Sequence, residues 1–309
     1  MNKYICGSYI PGENLTEQAA SEIDFTKITH AFLAFSVLHE NEKGMFVPFF
    51  SEGLINSIKI VKDRIDEMKA DTKVLVSIGG WGAGLFCEAS STEENRLAFA
   101  AECKKLIDEY GIDGVDMDWE FPGIASDGVK ACEHCQTDYI MLCDEIKKAI
   151  GDKLLTAAVG SDHWLRFDCA ALNKSLDLVN VMTYDMSTFA HSSMTYTKAA
   201  VEGWANQGID REKVVLGVPF YARCDNPDYE WRGYSDLMKL VAEGKAEKLH
   251  TEEQDYVVIN GNRLSIETPE SIAKKIQYIK EMNFAGIFNW QELTDKDGEL
   301  RTAMAEILK

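Results

Sequence analysis

Short apolar runs recur along the chain, separated by stretches in which apolar residues return every three or four positions. The runs are rich in Val, Ile and Leu and predict strands buried on both faces at Lys3–Tyr9, Ile28–Phe35, Lys73–Gly80, Ile112–Glu120, Leu154–Gly160, Leu176–Asp185, Val214–Ala222 and Ala285–Trp290. The intervening pattern predicts helices at Leu54–Lys69, Glu93–Tyr110, Thr137–Ile150, Tyr196–Gln207, Pro269–Asn283 and Glu299–Leu308. Thr268-Pro269-Glu270 reads as an N-cap, a proline in the first turn and an acid facing the helix dipole. Eight strands alternating with helices predict an α/β fold, a (β/α)₈ TIM barrel, and residues 1–309 read as one domain. Between the last two strands only a helix (Ser235–Glu243) and a hairpin around Asn260-Gly261-Asn262 are expected, a reduced insertion.

One predicted strand breaks the apolar rule. Gly111–Glu120 reads GIDGVDMDWE, with Asp116, Asp118 and Glu120 alternating with Met117 and Trp119. Alternate strand residues share a face, with about 6.6 Å between them at a rise of roughly 3.3 Å per residue. Clustered carboxylates inside a sheet cost several kcal/mol each unless paired or protonated, so this strand is a candidate for chemistry. Asp113 has the opposite parity and is expected to bond backbone or loop groups where the strand begins.

Charge narrows the partner class. Thirty-two Lys and Arg against 51 Asp and Glu give a net charge of −19, which disfavours nucleic acid and anionic membrane as partners but not a neutral substrate. No run of 18 apolar residues predicts a membrane span. The N-terminus lacks a signal-peptide pattern, so the chain is expected either to be intracellular or to have lost a signal. A monomer is expected. Eight cysteines are scattered without a disulfide framework. Cys6, Cys103 and Cys143 read as buried thiols, and Cys132-Glu133-His134-Cys135, lacking a second Cys/His pair, reads as surface-loop thiols rather than a metal site.

In such a barrel, chemistry sits where the strands end. The predicted ends offer Tyr9, Phe35, Trp81, Glu120, Met182, Tyr184, Asp185, Tyr221, Arg223 and Trp290. No metal ligands, phosphate-cradling glycine loop or Ser/His pair accompany them, so no cofactor is expected; His163 and His191 lie just beyond two strand ends and read as structural or surface histidines. Aromatic planes with a few acids suit a sugar, whose ring faces stack while its hydroxyls bond to polar groups. Trp81, Met182 and Tyr221 read either as substrate contacts or as filling of the barrel's upper layer; Tyr9 and Phe35 are equally open, and Trp119 points away from the acids.

Asp113-Gly114-Val115-Asp116-Met117-Asp118-Trp119-Glu120 resembles the DxxDxDxE signature of glycoside hydrolase family 18, the chitinase family. Ser77-Ile78-Gly79-Gly80 is similar to its SxGG strand and Met182-Thr183-Tyr184-Asp185 to its MxYD strand. Gly217–Arg223 is similar to GxPxYGR, with Ala222 in place of glycine, and Trp290 stands where the family keeps a sugar-stacking tryptophan. The resemblance implies a retaining hydrolase of β-1,4-linked N-acetylglucosamine chains such as chitin, in which the substrate's own acetamido oxygen is the nucleophile. It implies Glu120 as general acid/base with its pKa raised by Asp118. Asp118 would hold the acetamido group, with Asp116 tuning it and Tyr184 donating to the acetamido oxygen. Asp185, Arg223 and Trp290 would contact sugar. Alternatives within the resemblance are an endo-β-N-acetylglucosaminidase acting on N-glycans and, disfavoured by the presence of Glu120, a chitin-oligosaccharide lectin. The reduced insertion implies an open, shallow cleft.

Overall fold

The computed structural model describes residues 3–125, 129–162, 167–187, 189–226, 228 and 231–309. The expectation for His163 falls outside them. The elements run β1 (Ile5–Pro11), α1 (Glu17–Ser21), β2 (His30–Glu40), β3 (Phe46–Phe49), α2 (Glu52–Met68), β4 (Lys73–Gly79), α3 (Phe86–Ser91), α4 (Glu93–Tyr110), β5 (Gly114–Asp118), α5 (Cys135–Ile150) and β6 (Leu154–Gly160). Then follow α6 (Cys169–Ser175), β7 (Leu178–Met182), α7 (Met194–Asn206), β8 (Val214–Pro219), β9 (Tyr221–Arg223), β10 (Trp231–Gly233), α8 (Tyr234–Ala242), β11 (Glu247–Leu249), β12 (Asp255–Ile259), β13 (Asn262–Ile266), α9 (Pro269–Met282), β14 (Gly286–Trp290) and α10 (Glu299–Ala305).

Eight strands form a closed parallel barrel in the order β1-β2-β4-β5-β6-β7-β8-β14, with β14 returning to β1. The eight strands are those the apolar runs predict. Between strands and helices lies the main core, which includes Leu54, Phe99, Ile107, Trp204 and Ile279. A smaller cluster fills the barrel itself with Tyr9, Phe32, Leu75, Val215 and Phe288. Helix ends follow local chemistry. The Thr92 hydroxyl accepts from the Asn95 N–H at the start of α4, and Thr268 caps α9 with Pro269 in its first turn. No helix among the described residues is long and apolar enough to cross a membrane.

The insertion is more elaborate than a helix and a hairpin. The hairpin is present as β12 and β13 and the helix as α8, but β9, β10 and β11 extend the hairpin into a five-stranded antiparallel sheet ordered β10-β9-β13-β12-β11. Each added strand is three residues long, too short for a period-two pattern to show. The sheet stands at the end of β8 and forms one wall over the barrel mouth, so the cleft is more walled than a reduced insertion implies.

The cysteine reading is also corrected. Cys132 and Cys135 are joined as a disulfide rather than left as free thiols, because the turn entering α5 brings their Cα atoms within 5.2 Å. Cys6, Cys103 and Cys143 are buried thiols.

Candidate active site

The acidic strand β5 runs up the inside of the barrel. Asp116 lies deepest, fully buried, and accepts hydrogen bonds from Tyr9 Oη (2.9 Å), Ser77 Oγ (2.7 Å), Thr156 Oγ1 and Asn180 Nδ2 (3.3 Å). Burial raises its pKa against these bonds, which favour the charged form. Asp118, one layer higher, is buried with Oδ1 unpartnered inside the protein. Burial and the neighbouring charges of Glu120 and Asp116 push its pKa well up. Glu120 lies at the rim beyond the strand's end, half-buried, and its pKa is raised to about 7 by burial and then by the charge of Asp185. Asp118 and Glu120 lie close enough for like-charge repulsion to disfavour ionising both at once. Asp113, as expected from its parity, accepts from the Val74 N–H (2.9 Å) and pairs with Lys73 (3.3 Å).

The strand beside β5 is shaped to fit it. At Gly79, with φ +123°, a Cβ would lie 2.0 Å from the Asp118 carbonyl oxygen, and that same oxygen accepts from the Gly80 N–H at 2.8 Å. Gly217 plays the corresponding part opposite, where a Cβ would meet the Tyr184 ring at 2.8 Å.

Around the acids opens a cleft of about 580 Å³, within the range of small-molecule sites. Tyr9, Phe35, Trp81, Asp118, Glu120, Met182, Tyr184, Asp185, Tyr221, Arg223 and Trp290 all line it, whereas Asp116 lies beneath the floor. Trp290 stacks on Phe35 (centroids 5.4 Å apart, 26° between planes) and meets the edge of Tyr9 at 6.2 Å. Trp81 stands 61% exposed at the rim. Trp119 is buried in the opposite direction, stacked on Phe86 at 5.1 Å.

Asp185, at φ +58°, is held from three directions. Arg223 donates to both carboxylate oxygens (2.6 and 3.0 Å), Tyr221 Oη donates at 2.7 Å, and His191 Nδ1 lies 3.4 Å away. Burial alone would raise this carboxyl, but its contact with His191 and the hydrogen bonds from Arg223 and Tyr221 outweigh it and hold the pKa well below the usual carboxylate range. A permanently ionised carboxylate therefore faces a protonatable Glu120. That difference is the arrangement an acid/base pair needs.

Six further lining residues are not among those predicted: Phe121, Ala158, Gly160, Ser161, Asp162 and Trp231. Trp231 is the most telling. It is 40% exposed and stacks on Tyr221 (5.5 Å, 22°) because β10 pairs it with Arg223. Its one sequence signal is a tryptophan in an otherwise polar segment.

Residues 7–295 match the family described as Glycosyl hydrolases family 18. The chain belongs to that family. Among curated relatives it is similar to an endochitinase of Brugia malayi, 26% identical over 85% of this chain and 62% of the relative. It is likewise similar to a class V chitinase of Arabidopsis thaliana, 24% identical over 94% and 86%. The chain thus spans less than two thirds of the Brugia protein. Among solved structures, a family 18 N-acetylglucosaminidase from Paenibacillus barengoltzii superposes with TM-score 0.83 at 27% identity, over 98% of this chain and 99% of the other. A family 18 chitinase from Cycas revoluta in complex with (GlcNAc)₄ superposes with TM-score 0.87 at 22% identity, over 99% and 100%, a likeness of fold.

Proposed function

We propose that this family 18 chain is a chitinase-like glycosidase cleaving β-1,4-linked N-acetylglucosamine chains with retention, and that residues 1–309 act as one catalytic unit. The observation carrying this reading is the Asp116–Asp118–Glu120 ladder, whose outermost member faces an aromatic cleft with its pKa raised to about 7. Glu120 donates its proton to the leaving oxygen and afterwards accepts one from water. Asp118, buried beside it with an unpartnered oxygen, receives the acetamido N–H and stabilises the positive charge developing at the ring closed by the acetamido oxygen on the anomeric carbon. Asp116 anchors that pair from below, and Tyr184 donates to the acetamido oxygen. Trp290 carries the sugar ring on its face, Asp185 and Arg223 bind hydroxyls, and Trp81 and Trp231 supply flat surfaces for neighbouring sugars.

The kinship with an N-acetylglucosaminidase favours a second reading, in which short oligomers are trimmed by single sugars. One assay separates the possibilities. Chitin oligomers of defined length, a high-mannose glycoprotein and a cellulose oligomer are incubated with the protein, and the products are weighed. Internal cleavage of chitin oligomers supports the main reading, and release of single sugars the second. Release of glycan from the glycoprotein alone favours the N-glycan hydrolase, and efficient cleavage of cellulose oligomers, which lack the acetamido nucleophile, overturns the mechanism.

A further inference from the structure

Three cysteines meet at a point the carboxylate chemistry does not use. Cys87 lies in the first turn of α3, Cys135 opens α5, and Cys132 precedes it by three residues; their sulfurs lie within 4.8 Å of one another. Cys132 and Cys135 are joined as a disulfide, and Cys87 Sγ stands 3.5 Å from Cys135 Sγ. Exchange between a thiol and a disulfide proceeds by attack of a thiolate on one sulfur and departure of the other. Here the attacking sulfur already touches the sulfur it would attack.

We infer that Cys87, Cys132 and Cys135 form a thiol–disulfide exchange site, in which the bond moves between Cys132–Cys135 and Cys87–Cys135. Cys87 gives up its proton and its sulfur bonds to Cys135 Sγ. The Cys132–Cys135 bond breaks, its electron pair leaves on Cys132, and Cys132 takes up a proton. Nothing is oxidised or reduced overall, and no co-reactant is required.

Cys135 is suited to the shared, central position. It is buried, it sits at the N-terminus of a helix 16 residues long, and its sulfur accepts the Cys132 N–H at 2.8 Å. The helix end and that N–H set a positive field beside the three sulfurs, which carry one negative charge among them as the bonds rearrange. Cys87 is the gate. Its thiol donates to the Lys130 carbonyl at 3.1 Å, and burial and Glu88 push its pKa up to about 11. Glu88 comes from its own helix, while Lys130, from the loop before α5, opposes the rise and Asp138 of α5 adds to it. Exchange is therefore slow at neutral pH and quickens about tenfold per pH unit as the thiolate fraction grows.

The two links differ in what they tie. Cys132–Cys135 closes within a single loop, whereas Cys87–Cys135 fastens α3 to α5, the helices following β4 and β5. Trp81 precedes α3 in the chain, Glu120 precedes α5, and Phe86 beside Cys87 stacks on Trp119. A structural tetrahedral metal site calls for four ligands. Among the described residues this cluster offers three, two of them bonded to each other.

The test is peptide mapping of acid-quenched, alkylated protein by mass spectrometry. Trypsin leaves Cys87 in peptide 74–96 and Cys132 and Cys135, together with the buried thiol Cys143, in peptide 131–147. Wild-type chain held at pH 8.5 without reductant is expected to yield the two peptides joined, with the link assigned to Cys135 by fragmentation, beside the looped 131–147 peptide. Cys132→Ser treated with glutathione disulfide should close Cys87–Cys135 and release glutathione, and Cys87→Ser should show the looped peptide alone. A wild-type map with no joined peptides overturns the proposal, and this measurement depends on no variant folding. So does a Cys132→Ser protein that stops at the glutathione adduct. Uptake of one zinc equivalent by reduced wild type, lost in Cys87→Ser, would assign the sulfurs to a metal instead.

Discussion

Asp185→Asn isolates the electrostatics proposed for Glu120. With an ordinary value of 4.5, a glutamate would be protonated in only about 0.3% of molecules at pH 7; raised to about 7, it is protonated in about half, a gain of roughly 150-fold in the acid form. Burial and the Asp185 charge produce that gain. Asp185 stays ionised throughout because Arg223, Tyr221 and His191 hold its pKa down, so its field on Glu120 is constant across the working range. Replacing it with Asn removes the negative charge and leaves Arg223 uncompensated, and both changes lower the pKa of Glu120. A neighbouring charge shifts a carboxyl by about 1–3, and the lower end of that range puts the limb near pH 6. The assay is kcat/KM against pH on a chitin oligomer. The acid form of Glu120 is present below its pKa and lost above it, so wild-type activity should fall as pH rises through about 7. In the variant, the ratio of activity at pH 7 to activity at pH 5 should fall about fivefold. That ratio cancels any loss of sugar binding common to both pH values. A wild-type limb near pH 4.5, or a variant limb unmoved from the wild-type position, would refute the assignment.

Four further outcomes are expected. Glu120→Gln should lower kcat by roughly 10²–10⁴-fold, and it should raise Tm at pH 8 by a few degrees, because a buried carboxyl with a raised pKa costs stability as pH climbs from 4.5 through about 7 and the amide escapes that cost; scanning calorimetry at pH 4 and pH 8 checks the sign. Asp118→Asn should lower kcat by a comparable factor with little change in fold by circular dichroism, since an amide cannot ionise opposite the developing cation. Trp290→Ala should cost about tenfold or more in kcat/KM on oligomers, read by product release, through loss of the stacking plane. Gly79→Ala should destabilise the chain by about 2 kcal/mol or more in urea unfolding, since the methyl would meet the Asp118 carbonyl at 2.0 Å with φ at +123°.

Much of this protein is legible along the chain because it depends on periodicity. A strand buried on both faces must be continuously apolar, so the eight barrel strands stand out, and an acidic strand among them stands out more. The phase of Asp116, Asp118 and Glu120 follows from the two-residue repeat alone, as does the separation of Asp113, which bonds to the Val74 N–H at the strand's start. Helix limits follow from caps, as at Thr268 and Pro269.

What the chain cannot show is whatever depends on partners far away in sequence. Tyr9 and Asp116 are 107 residues apart, yet their hydrogen bond ties the first strand to the acidic one. The source of Glu120's raised pKa is Asp185 as well as burial, and Asp185's own depression rests on three groups, of which Tyr221 and Arg223 lie 36 and 38 residues onward. Strands β9, β10 and β11 exist only because each finds a partner, and their pairing carries Trp231 onto Tyr221 and into the cleft. Cys87 and Cys135 are separated by 48 residues and meet at 3.5 Å. Local pattern determines which residues face inward, because side-chain direction is a property of the backbone repeat. Which of them meet, and what charge each carries when they do, is decided by the closing of the barrel, because burial and Coulomb energy depend on distance in space and not along the chain.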